Sequence, residues 1–133
     1  MTTQTAILTT HGVAVPPHLL DADVPVVTGR PVRQGDVLAK PTRLGQMTGA
    51  VPIPPEGIQV VRGEAERNTH LLCGSGTWKA LTGSQILGTL VVPEDAEAYL
   101  IHTGEHGAVG LGAGCWTVRR QRQQADEIRL VQD

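Results

Sequence analysis

The stretch that decides the fold runs Tyr99-Leu-Ile-His-Thr-Gly-Glu-His-Gly-Ala-Val-Gly-Leu-Gly-Ala-Gly-Cys-Trp-Thr-Val-Arg-Arg-Gln-Arg-Gln-Gln124. Glycine recurs at positions 104, 107, 110, 112 and 114. This disfavours a helix, because each glycine in a helix interior costs about 1 kcal/mol relative to alanine. Beyond the glycines, Cys115-Trp-Thr-Val118 alternates, so that Trp116 and Val118 would face one side of a strand. The stretch predicts a strand ending at His102, a turn, and a further strand over residues 115–120.

The segment His102-Thr-Gly-Glu-His106 is a candidate half of a metal site. Histidine and carboxylate side chains are usual ligands of zinc, iron and manganese. On a straight strand, residues four apart lie roughly 13 Å from each other, whereas a metal–ligand bond is roughly 2 Å long. Both histidines could therefore reach one ion only if residues 103–105 form a turn, which Thr-Gly-Glu favours. The alternative is that they are solvated histidines of a loop.

The rest of the chain also favours short strands. Residues 86–92 form the strongest strand pattern, and residues 58–62, 70–73, 98–102 and 127–131 give weaker ones. The 16 Gly and nine Pro divide the chain into short pieces, and its 133 residues suit one domain. We therefore predict an all-β, single-domain antiparallel sandwich or small barrel with many short strands. Residues 31–133 would form this β domain, and residues 1–30 an N-terminal arm or edge strands.

The N-terminal residues carry three apolar runs, Ala6–Leu8, Val13–Val15 and Val24–Val27. Burying apolar surface is worth roughly 25 cal/mol per Å², so such a segment is expected to pack against a sheet. The preferred interpretation is the sheet of a neighbouring subunit, which predicts a homo-oligomer. The alternative is that the segment completes the chain's own sheet.

Composition limits the classes of function. The formal charge is −2 and the pI about 6.2, so no nucleic-acid partner is indicated. The apolar runs are too short to span a membrane, and the start Met1-Thr-Thr-Gln-Thr5 has no signal-peptide pattern, which predicts a cytoplasmic protein without a membrane partner. In that compartment, Cys73 and Cys115 are expected to be reduced, buried thiols.

Four blocks of the sequence are similar to a small, largely uncharacterised bacterial and phage-type family of β domains. They are Arg33-Gln-Gly-Asp-Val37, Gly63-Glu-Ala65 with His70, His102 and Glu105-His106 with Arg120-Gln-Arg122, and the end Val131-Gln-Asp133. The resemblance covers residues 31–133 and implies a compact β domain with a histidine cluster, but it implies no activity. This chain departs from the family pattern at Asn68, where the family has histidine, and at Trp116, where it has tyrosine.

With this resemblance, the candidate metal site consists of His70, His102 and His106 with Glu105 or Glu64 as a further ligand. His70 begins one predicted strand and His102 ends another, and an antiparallel pairing of these strands would bring them together. Such a set suits zinc, iron or manganese. It is similar, by analogy only, to the histidine and glutamate sites of cupin-like barrels. The competing interpretation is a hydrogen-bonded structural cluster or a subunit interface.

Two further candidates carry alternatives of their own. Arg119, Arg120 and Arg122 could bind phosphate or a protein partner, or could form a charged strand edge that discourages aggregation. Cys115 could be a nucleophile with His102 or His106 as its base, or a core thiol, and no catalytic residue is assigned.

Two functions are therefore predicted. The first is a non-enzymatic β module that self-associates or forms part of a larger protein assembly. The alternative is a small, cupin-like metal-binding domain that uses His70, His102 and His106, with or without catalysis.

Overall fold

The computed structural model describes residues 2–61, 69–82, 85–103 and 107–120. Within them the chain forms one α-helix, α1 (Gln4–Thr10), and a 3₁₀ helix at Pro17–Leu19. The strands are β1 (Val26–Val27), β2 (Val32–Gln34), β3 (Val37–Pro41), β4 (Val51–Pro52), β5 (Ile58–Val61), β6 (His70–Gly74), β7 (Thr77–Ala80), β8 (Ile86–Val92), β9 (Ala98–His102), β10 (Gly107–Leu111) and β11 (Gly114–Arg120). No described helix has the length and apolar character needed to cross a membrane.

The strands form two sheets. One has five strands in the order β1-β10-β9-β6-β5, and the other has six in the order β2-β3-β11-β8-β7-β4. All the pairings are antiparallel except that of β1 with β10. The all-β prediction is confirmed, and of its two alternatives the sandwich is correct, since the described strands do not close into a barrel.

The main core lies between the two sheets. Leu72 and Leu100 contribute from the five-stranded sheet, and Leu90, Trp116 and Val118 from the six-stranded sheet. Along β11, Trp116 and Val118 are buried while the residues between and beside them are half-buried. The predicted alternation is therefore correct.

The strand predictions succeed where the pattern is strong. Residues 86–92 and 98–102 are strands with the predicted bounds, and β6 and β11 differ from prediction by one residue at one end. β5 matches the predicted strand 58–62 as far as residue 61, and residue 62 lies outside the described residues. The predicted strand 127–131 lies outside the described residues. Strand β10 was not predicted, because its glycines suggest a turn. Gly110 instead permits close packing, since a Cβ there would lie 2.8 Å from Val26 Cγ2 of the parallel strand β1.

The N-terminal segment differs from prediction in its secondary structure. Residues 4–10, expected to be extended, form α1, whose N-cap Thr3 accepts a hydrogen bond from the Ala6 amide through its side chain. Leu8 is fully buried in a second core with Ile101 and Ala108. The segment thus covers the outer face of the five-stranded sheet.

The sheet that the N-terminal segment covers is the chain's own. The Gln4 side chain both donates to Ala108 O and accepts from Ala108 N, each at 2.8 Å. The pairing of β1 with β10 extends the same sheet. Packing against a sheet is confirmed, but the preferred location on a neighbouring subunit is wrong, because these partners lie within the same chain.

The buried contact of α1 gives a prediction. Replacing Leu8 with alanine should lower the free energy of unfolding by about 2–5 kcal/mol, because it leaves a cavity in the second core. The matched control is Leu20→Ala, since Leu20 is 53% exposed. Urea denaturation followed by circular dichroism measures both variants. Equal stability of the two would contradict the docking of α1.

Candidate histidine site

His70 and His102 lie directly opposite each other on neighbouring strands. Val61 pairs with His70, His70 with His102, and His102 with Gly107, so one row of residues crosses β5, β6, β9 and β10 at the same end of the sheet. The two imidazole rings have centroids 4.6 Å apart and planes inclined at 43°. The predicted meeting of these two histidines is therefore confirmed.

Both histidine side chains lie between the two sheets. His70 is 1% exposed and His102 5%. Side chains two residues apart on a strand share a face, and Leu72 and Leu100 stand two residues along from the histidines in the main core. The pair therefore occupies one end of the sandwich interior.

The β2–β3 hairpin closes this end. Gln34 pairs with Val37, leaving Gly35 and Asp36 as a two-residue turn. Of these two residues only Gly35 has a positive φ, +56°, which is the pattern of a type II′ hairpin turn with glycine first. The hairpin places Gln34 and Gly35 against the two rings.

Gln34 ties the hairpin to the opposite sheet. Its side chain is 4% exposed, and its Nε2 donates to Leu100 O and Gly107 O, both at 3.0 Å. Its Oε1 lies 3.1 Å from His70 Nδ1. Because only an amide NH₂ can donate to two carbonyl oxygens, the amide orientation is fixed and Oε1 must be an acceptor.

This network sets the tautomer of His70. Since Gln34 Oε1 accepts, His70 Nδ1 must carry the proton and donate. In the neutral ring, the lone pair then resides on Nε2. Metal-binding histidines commonly have this arrangement, in which one ring nitrogen donates to a fixed acceptor and the other faces the ion.

The Nε2 atoms of both histidines lie near Gly35. A Cβ built on Gly35 would stand 3.4 Å from His70 Nε2 and 3.7 Å from His102 Nε2. Both nitrogens therefore lie within ordinary van der Waals distance of one point beside Gly35, which a side chain at residue 35 would occupy.

The other predicted ligands fall outside the described residues. Glu64 belongs to segment 62–68, and Glu105 and His106 belong to segment 104–106. Within the described residues, no group of three His, Cys, Asp or Glu side chains could hold a metal ion. However, both segments connect strands that end at the histidine row, because β5 joins β6 and β9 joins β10 there.

The arginine run lies in the middle of a sheet. β11 has β3 on one side and β8 on the other, so Arg119 and Arg120 do not lie on a strand edge. For Arg119 and Arg120 the charged-edge interpretation is therefore wrong. The sequence does not reveal the central position of β11, because a central strand and an edge strand can have the same residue pattern and differ only in which strands pair with them. Arg122 lies outside the described residues.

Neither cysteine has the environment of a nucleophile. Cys73 is buried and Cys115 half-buried, and both are free thiols, as expected except for the partial exposure of Cys115. Burial raises the pKa of Cys73 to about 12 and also raises the pKa of Cys115. Cys115 lies on β11 of the six-stranded sheet, where its thiol donates to Arg43 O at 3.7 Å. A raised pKa suppresses the reactive thiolate, so the structure favours the thiol interpretation.

Sequence reasoning identified the histidines but not Gln34. Gln34 lies in the block Arg33–Val37, which carries part of the resemblance but points to no buried network. A single glutamine between apolar residues gives no indication of a buried network, because the same pattern suits a solvent-facing strand position.

Comparison with known proteins gives one family. A family model described as "Domain of unknown function (DUF8820)" matches residues 33–121. No curated protein and no solved structure matches the chain. The matched range begins next to Gln34 and Gly35 and contains both buried histidines.

Proposed function

Because the chain belongs to this family of domains of unknown function, we propose its function from the site alone: it is a small β domain that binds a divalent metal ion at His70 and His102. One observation carries the proposal. The Nε2 atoms of both rings approach the same point beside Gly35, and Gln34 holds the His70 tautomer whose Nε2 can ligate a metal.

Two imidazoles alone do not complete a metal site. Zinc takes four ligands in structural sites and three protein ligands in catalytic ones. We propose that His106, with Glu105 or Glu64, supplies the remainder. The support is that described residues on either side of segments 62–68 and 104–106 lie in the histidine row, namely Val61 with His70 and His102 with Gly107. A nitrogen-rich set with one carboxylate suits zinc, iron or manganese.

Metal titration tests this function. Full-length protein, freed of metal by a chelator, should bind one zinc ion per chain in calorimetry, and His102→Gln or His106→Gln should weaken binding at least about tenfold, since each removes a ligand. His11→Gln and His18→Gln are controls, because those residues lie in the N-terminal segment. Zinc binding that is absent, or unchanged in the first two variants, would refute the site.

Gly35 gives a sharper variant. Gly35→Ala adds a methyl group at the point that the two Nε2 atoms approach and should reduce zinc affinity. Gly29→Ala is the matched control, because Gly29 has φ +74° and open space where its Cβ would stand. Both variants carry similar backbone strain, about 1–2 kcal/mol. Only loss of affinity specific to Gly35→Ala supports the proposal.

A second candidate function is a β module that self-associates or joins a larger protein assembly. The N-terminal segment covers the outer face of the five-stranded sheet, whereas the outer face of the six-stranded sheet carries exposed cations such as Arg33 and Lys40. An open, charged face suits association with a partner. The bacterial and phage-type origin of the family and a cytoplasmic location also stay predictions.

A further inference from the structure

Charge is segregated in this domain. Five of the 11 Lys and Arg residues lie in the six strands of one sheet, and those strands contain no Asp or Glu. The five strands of the other sheet contain no charged residue. Although the net charge is −2, the six-stranded sheet therefore carries a cationic surface.

Strand register places four of these cations on the outer face. Directly paired residues share a face. Leu38 pairs with both Arg33 and Arg119, which forms one row. A second row lies beside it, in which Thr117 pairs with Lys40 and Thr89, and Thr89 pairs with Lys79. Their neighbours Val37, Ala39 and Val118 are buried, so these rows point away from the core.

The basic face is defined here as Arg33, Lys40, Lys79 and Arg119. Strands lie roughly 4.8 Å apart and alternate residues roughly 6.8 Å apart, so the four Cα atoms extend over roughly 20 Å from Arg33 on β2 to Lys79 on β7. Arg33 and Lys40 are exposed. Lys79 Nζ donates to Gln46 O at 3.0 Å, which leaves its charge without a carboxylate at that contact.

A complementary anionic surface lies on the turn between β8 and β9. Residues 93–97 contain Glu94, Asp95 and Glu97, all exposed, and no cation. The turn is fixed in place, because Ser75 N donates to Glu97 O at 3.0 Å. The acidic turn is defined as these three carboxylates.

The two arginines of the basic face and the acidic turn lie at opposite ends of the same sheet, whereas Lys40 and Lys79 lie between them in the row of Thr89. Arg119 pairs with Ile86 at one end of β8, whereas the acidic turn follows Val92 at the other. Six residues of strand separate these positions by roughly 20 Å, about twice the Debye length at 0.1 M salt. The turn therefore cannot neutralise Arg33 and Arg119 of its own chain.

We propose that the basic face binds the acidic turn of a second copy of this chain, giving a head-to-tail association. The inference rests on the second proposed function, the assembly module, and identifies its partner and contact. A contact between two different surfaces is heterologous, so it extends into a chain or closes into a ring. The metal site takes no part in it.

The side chains of the face favour a protein over a nucleic acid. Single-stranded nucleic acids stack their bases on aromatic rings, and the outward residues here are Leu38, Thr89, Thr117 and the cations. The carboxylates elsewhere on the chain would also repel a long polyanion. A short acidic turn needs no aromatic rings for stacking, and it is not a long polyanion that the other carboxylates would repel.

Charge reversal tests the inference. Sedimentation of the full chain should show self-association at about 0.02 M salt that weakens at about 0.5 M, since salt screens exposed charges. Arg33→Glu with Arg119→Glu should weaken association at least about tenfold, as should Glu94→Lys with Glu97→Lys, because like charges then face each other. An equimolar mixture of the two double variants should associate again, because each supplies what the other lacks.

The control is Asp21→Lys with Glu56→Lys, which changes net charge as the acidic-turn variant does but alters exposed carboxylates elsewhere. Circular dichroism verifies that every variant folds. Association that persists in both reversal variants would overturn this contact while leaving the assembly function standing. A monomeric chain at both salt concentrations would overturn self-association altogether. Binding of single-stranded DNA or of an acidic peptide to the basic face, without self-association, would overturn it as well.

Discussion

Replacement of Gln34 with methionine should lower the free energy of unfolding by about 3 kcal/mol or more. Methionine keeps a similar length but can neither donate to Leu100 O and Gly107 O nor accept from His70 Nδ1, three contacts of 3.0–3.1 Å in a buried setting. Each buried polar group deprived of its partner costs about 1–3 kcal/mol. Thermal and urea denaturation measure the change.

The same substitution should weaken zinc binding in addition to stability. Gln34 Oε1 accepts the proton of His70 Nδ1, and loss of such a supporting group typically costs about 10–100-fold in metal affinity. Gln46→Met is the matched control, since Gln46 is exposed and donates only to Thr48 Oγ1. If Gln34→Met and Gln46→Met behave alike, the network does not support the histidine pair.

Replacement of Gly88 with alanine should destabilise the fold by at least about 3 kcal/mol, the upper range for overpacked cores. A Cβ there would overlap Trp78 Cζ2 and would lie 2.6 Å from Lys79 O. Trp78 is 5% exposed in the main core, and Lys79 O is backbone, so neither atom can move aside without disturbing the pairing of β7 with β8.

The control for this prediction is Gly45→Ala. Gly45 is exposed, and a Cβ there would meet nothing within 4 Å. In the absence of a clash, glycine-to-alanine changes stabilise proteins by about 0.4–1 kcal/mol through the unfolded chain. The two variants should therefore change stability in opposite directions in urea denaturation. A Gly88→Ala protein as stable as the unsubstituted chain would mean that Trp78 does not pack on β8 as described.

The candidate site was predictable only in part. Spacing and strand polarity placed His70 and His102 at strand ends that meet, and the structure confirms it. Gln34 and Gly35 were not predictable as site residues, because they come from the other sheet and reach the rings across the sandwich. The remaining proposed ligands, His106, Glu105 and Glu64, stay predictions.

The sequence by itself determined the all-β class and the positions of the strong strands. Alternation along β11 is a local property that fixes which residues of that strand face the core. The apolar run of β8 predicts the strand but not its face, since its residues alternate between buried and half-buried. The resemblance to a family of uncharacterised small domains agrees with the family model that matches residues 33–121.

Only the tertiary structure decided which surfaces are covered. Residues 4–10 became a helix because Leu8 is buried against Ile101 and Gln4 bonds Ala108, contacts about a hundred residues away in sequence. Long-range pairing likewise made β10 a strand despite its glycines and put Arg119 in mid-sheet, on the outer face. Strand order and layer contacts depend on long-range pairing, and local sequence patterns do not contain that information.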